Sequence, residues 1–93
     1  MAEINNSARK IIVAGAGSIS VNSKCSHHSI AIACATTNTF TIKAKFSGSE
    51  FMTFADNEMS ENSIANFILP GVEMIEVTPS NTAVSFVINV NSF

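Results

Sequence analysis

The side chains with the most chemical potential in this sequence fall within ten residues. Cys25, His27, His28 and Cys34 form its one cluster of metal-ligand types. Two thiolates and two imidazoles would suit a tetrahedral zinc ion. The spacing argues otherwise. The paired Cys-x2-Cys and His-x3-5-His arms that make a zinc site recognisable are missing. Adjacent histidines on a strand also point to opposite faces, so His27 and His28 do not chelate one ion easily. We therefore expect no metal, with these four as weak candidates only. Two reduced cysteines fit better, one in the core and one near a loop, with both histidines exposed or facing a partner. A Cys25–Cys34 disulfide is not expected, because nothing marks the chain as secreted.

Ile11-Ile12-Val13-Ala14-Gly15-Ala16-Gly17-Ser18 opens like a strand entering a dinucleotide-binding turn. The third glycine position is Ser20, however, and the residues that follow lack a helical period. No helix N-terminus would then receive a pyrophosphate. A glycine-bent connection between strands is the better expectation, and no cofactor is expected. Asp56, Glu58 and Glu61 could offer oxygen ligands to calcium. They lack the alternating order of a calcium loop, so we read them as a solvated acidic turn over 56–62. No Gly-x-Ser-x-Gly elbow is present, and no carboxylate pair has an evident acid–base partner. The chain is not expected to be an enzyme.

The elements that would position these residues follow from composition and period. The chain has 93 residues, enough for one domain. Ile and Val abound, Leu occurs once at Leu69, and Gln, Trp and Tyr do not occur. β-Branched residues favour strands over helices. Asn, Ser and Thr are frequent, and they serve turns and exposed strand faces. Thr39 to Phe46 alternates strictly, with Phe40, Ile42, Ala44 and Phe46 on one face. Shorter strands are expected over 10–14, 18–21, 28–34, 51–55, 63–69 and 73–78, and a last one over 82–91. Phe40, Phe46, Phe51, Phe54, Phe67, Phe86 and Phe93 read as core fillers. Residues 1–8 read as a flexible arm, and 9–93 as a single domain. The fold class is all-β: an antiparallel β-sandwich of about eight short strands, with a jelly roll as one arrangement of that number.

Charge divides along the chain. Residues 1–46 hold every Lys and Arg, and residues 47–93 hold every Asp and Glu except Glu3. Either the halves interleave and neutralise each other, or they form opposite faces that steer association. The net charge of −2 offers no basic field for nucleic acid. No apolar run reaches the ~18 residues of a membrane span. Neither nucleic acid nor membrane is an expected partner.

Four stretches carry a resemblance: TFTIKAKF from Thr39, SGSEF from Ser47, PGVEMIEV from Pro70 and TAVSFVINV from Thr82. Over roughly 39–91 their order resembles small bacteriophage virion proteins, the β-sandwich domains of capsid-decoration, tail and fibre components. Phe51 stands where that pattern usually has Tyr or Trp, and Glu76 near its usual arginine. The resemblance implies a non-catalytic virion structural protein that contacts other virion proteins. A homotrimer is the expected oligomer, in which one histidine per chain could meet on the axis. Val87, on the non-core face of the last strand, and the terminal Phe93 are the interface candidates, although Phe93 could equally cap its own core. A carbohydrate- or surface-binding module of the same fold is the alternative. The lack of Trp and Tyr platforms weakens it.

Overall fold

A computed structural model describes residues 6–93. The described chain forms eight strands: β1 (Ser7–Ile12), β2 (Gly17–Ser20), β3 (His27–Cys34), β4 (Thr39–Phe46), β5 (Phe51–Ser60), β6 (Ser63–Ile68), β7 (Val72–Pro79) and β8 (Phe86–Ser92). They build two four-stranded antiparallel sheets, ordered β1-β8-β3-β6 and β2-β7-β4-β5. First pairs with last, second with seventh, third with sixth and fourth with fifth. The chain is thus one long hairpin, with its tip between β4 and β5, rolled so that successive rungs alternate between sheets. That is a jelly roll.

The alternation read from the sequence fills the space between the sheets. Ile30, Ile42, Ile75, Ile88, Val77 and Phe40 are fully buried. Phe40 of β4 meets Phe86 of β8 across the gap, with ring centroids 4.9 Å apart. Phe54 and Phe67 meet edge-on at 5.2 Å between β5 and β6, which belong to different sheets. Of the seven phenylalanines expected inside, only Phe40 and Phe86 are fully buried; Phe46, Phe51, Phe54 and Phe67 are half-exposed, and Phe93 is exposed.

Three boundaries differ from the sequence reading. Ser7 and Ala8, assigned to the arm, already pair with Asn91 and Val90 in β1; residues 1–5 of that arm lie outside the described residues. The segment expected as an acidic turn is mostly strand, because β5 continues to Ser60. It does so around a bulge: Lys43 pairs with Thr53, but Thr41 pairs with Glu58. Asp56 takes the left-handed φ of 54° there. Asn57 Nδ2 donates to the Ile42 carbonyl at 2.9 Å, replacing the ladder bond that the bulge removes. Finally, β8 starts at Phe86 rather than near Thr82, since Asn81 Oδ1 accepts from Ala83 N at 3.1 Å and turns the chain.

One buried amide ties three loops together. Asn38 is 4 % exposed. Its Oδ1 accepts from Ser80 Oγ at 2.8 Å and from Asn81 N at 3.0 Å, and its Nδ2 donates to the Asn81 carbonyl at 3.2 Å. Its backbone N–H donates to Glu61 Oε2 at 3.0 Å, and its carbonyl accepts from Glu61 N at 3.0 Å. The Asn38 N–H holds the Glu61 carboxyl below its ordinary value. Asn38→Ala strands several of these groups, so it should lower the unfolding free energy by about 2–4 kcal/mol. Urea denaturation of the purified variant checks this.

Candidate functional site

β3 separates the metal-ligand types that the sequence brings close. His28 and Cys34 both face inward, but six residues apart at about 3.3 Å each puts them roughly 20 Å from one another. His27 points outward and is exposed. Cys25 and Cys34 are both buried and both free. No group of three or more His, Cys, Asp and Glu side chains converges on an ion position among the described residues. That holds also for Asp56, Glu58 and Glu61, the last of which is engaged with Asn38.

His28 corrects the expectation that both histidines are exposed or facing a partner. It is 0 % exposed, because it shares the inward register of Ile30 and Ile32. Its Nδ1 lies 2.7 Å from Ser92 Oγ, which is also buried. Its Nε2 has no hydrogen-bond partner among the described residues. Burial pushes the imidazole pKa down; the backbone of Leu69 and Cys25 favours the charged form but is outweighed, and His27 adds repulsion.

The glycine pair is structural. Gly15 has a φ of 74° and donates its N–H to the Thr82 carbonyl at 3.0 Å. It turns the chain from β1 in one sheet to β2 in the other. A Cβ on Gly17 would fall inside the side chain of Ile12, which is itself in the core. The residues after Gly17 form a strand, with no helix behind them.

The two outer faces of the sandwich differ in kind. On the sheet of β2, β7, β4 and β5, Lys43 pairs with Glu76 across strands, and Glu58 pairs with Thr41. Lys45 lies 3.9 Å from Glu73 and 6.0 Å from the Phe51 ring centroid. The basic half of the sequence therefore interleaves with the acidic half on this sheet. The other sheet is close to neutral. Its outward rows, read from the register, begin with Ile11, Val87 and Ala33. The next is Arg9, Asn89, Ala31 and Ile64; the third is Ser7, Asn91, Ser29 and Asn66. The last contains His27 and Ile68, joined by Phe93, whose N–H donates to the His27 carbonyl at 2.8 Å. Arg9 is the one Asp, Glu, Lys or Arg in these rows. Ile11, Ile64, Ile68 and Phe93 are four of the six large apolar side chains exposed among the described residues.

Both interface candidates stand on this neutral face. Val87 is half-buried between Ile11 and Ala33, beside a shallow depression of about 310 Å³. Phe93 is 71 % exposed, so its ring does not cap the core. Sequence reasoning missed Ile11, Ile64 and Ile68 as outward residues. The alternation in β6 was a usable signal, since its pattern of Ile64, Asn66 and Ile68 opposes Ala65 and Phe67.

Two predictions follow from these residues. Gly17→Ala should destabilise the fold by about 1–3 kcal/mol through the collision with Ile12, measured as a lower urea midpoint. The unfolded chain protonates its histidines near 6.5, whereas folded His28 resists protonation. The stability that neutral His28 allows is therefore complete above that value and is lost progressively as pH falls below it. Urea midpoints should drop across this window, ahead of any loss from Glu61 below its ordinary 4.5, and His28→Phe should flatten the slope.

No protein-family model and no curated protein matches this sequence. Solved structures do match in fold. The SPBc2 prophage-derived protein YomS aligns over 100 % of both chains with a TM-score of 0.64 and 11 % identity. PirA aligns over 99 % of this chain and 97 % of its own, with a TM-score of 0.60 and 11 % identity. PliG of Aeromonas hydrophila, a periplasmic inhibitor of g-type lysozyme, aligns over 100 % of this chain and 91 % of its own, with a TM-score of 0.56 and 11 % identity. What this chain shares with these three, at such identities, is the fold, over 99–100 % of its length.

Proposed function

We propose that the chain is a non-catalytic structural component of a phage particle, a capsid-decorating or tail-associated protein that works through homo-oligomer and particle-surface contacts. The observation that carries this reading is the neutral outer face of the β1-β8-β3-β6 sheet. Its exposed Ile11, Ile64, Ile68 and Phe93 are set among Ala, Ser and Asn. Exposed apolar side chains rimmed by polar residues are a feature of interaction surfaces, and short side chains lose little rotamer freedom when covered. The fold-level likeness to a prophage-derived protein along both full chains supports a phage source. The resemblance of 39–91 to virion sandwich domains points the same way.

The test is fractionation. Lysates of the source culture, after induction of resident phage, are banded on a density gradient and each fraction is examined by peptide mass spectrometry. Peptides of this chain should band with the particles. Recovery only in the soluble protein at the top of the gradient would overturn the reading.

A further inference from the structure

We infer that the outer face of the β1-β8-β3-β6 sheet packs against the same face of another copy of this chain. This rests on the reading of the chain as an assembly component and names the surface and its first partner.

Charge is the first argument. A covered face buries its charges, which costs unless each finds a partner, so a sheet with few charges is the easier one to cover. The opposite sheet carries Lys43, Lys45, Glu73 and Glu76. This one carries Arg9 alone, on the edge strand β1, where a long side chain can turn its guanidinium to the rim.

The second argument is the order of the rows. Apolar side chains stand towards both ends of the strands, Ile11 and Val87 at one end and Ile68 and Phe93 at the other. Between them Asn89, Asn91, Ser29 and Asn66 share the two middle rows with Ala31, Ile64 and Arg9. Asn and Ser both donate and accept, so their band is complementary to itself. Turning a second copy end over end sets one apolar end on the other; turning it about the strand direction sets each end on its like. Either way the apolar ends cover one another, and Asn91 faces an amide or a hydroxyl, Asn89 in the first turn and Ser29 in the second.

Area is the third. The molecule measures 40 × 28 × 19 Å. A broad side of that outline is at most roughly 1,100 Å², of which the four strands fill under half, so an interface of about 800 Å² per partner takes in the flanking loops as well.

The experiment is light scattering coupled to size-exclusion chromatography, with sedimentation equilibrium, on the full chain up to millimolar concentration. The wild type should show a mass that is a multiple of 9.8 kDa. The double variant Ile11→Asp/Ile64→Asp alters two side chains that are 58 % and 70 % exposed. It should keep its far-ultraviolet circular dichroism and weaken association at least about tenfold. Thr53→Asp, exposed beside Lys43 on the outer face of the opposite sheet, should leave association unchanged. A wild type that stays monomeric throughout overturns the inference, and so does association that the double variant leaves intact. If a monomeric chain still bands with particles, the assembly reading stands and this pairing alone falls. If the chain associates through this face but is absent from particles, the pairing stands and the assembly reading falls.

Discussion

The inward side chains of two four-stranded sheets must fill a layer about 10 Å thick, and every other feature of this molecule depends on how they do it. Ile30, Ile32, Ile42, Ile75 and Ile88 are at most 1 % exposed. β-Branched side chains are stiff at χ1 and pack well on a pleated surface. Because strand residues alternate, committing these positions to the core commits their neighbours to the outside. The outer faces are therefore no separate invention. Once Ile30 and Ile32 point inward, Ser29, Ala31 and Ala33 must form a surface.

That coupling explains what was legible in the sequence. β4 was readable residue for residue, because Phe40, Ile42 and Ala44 alternate with Thr41, Lys43 and Lys45 without interruption. His28 was half-readable: its parity with Ile30 pointed inward, yet its polarity suggested exposure, and Ser92, 64 positions away, supplied the partner. The start of β8 and the course of β5 were not readable. Asn81 turns its own backbone where apolar alternation had suggested strand, and Asn57 supplies a side-chain donor where the bulge interrupts the ladder. Such side-chain-to-backbone bonds compete locally with ladders, and alternation alone does not register them.

The glycine pair and the neutral face were legible to different degrees for the same reason. Gly15 and Gly17 announced a tight turn, and the structure uses one to pass from one sheet to the other. Which residues share a face with Val87 is a matter of register between strands distant in sequence. Ile11 and Ala33 reach Val87 only because β1 and β3 both flank β8. Alternation places a side chain inside or outside, whereas topology chooses its neighbours.

The open edges of the sheets bear on which surfaces a neighbour would find uncovered. An unpaired edge invites strand addition, and proteins blunt it with short strands, bulges and lysine. β2 has four residues and β1 and β6 have six each. β5 is longer but bulged beside Ile42. Between the edges of β1 and β2, Lys10 Nζ donates to the Ser18 carbonyl at 2.8 Å, setting a charge across that opening. On the far side, the Phe54–Phe67 contact closes β5 against β6. Edge-to-edge growth is thus hindered at all four edge strands. The broad faces remain, and of the two, the charged one is already matched within itself through Lys43 with Glu76 and Lys45 with Glu73. The neutral one carries the exposed isoleucines and Phe93, and covering it removes apolar area from water without stranding a field of charges.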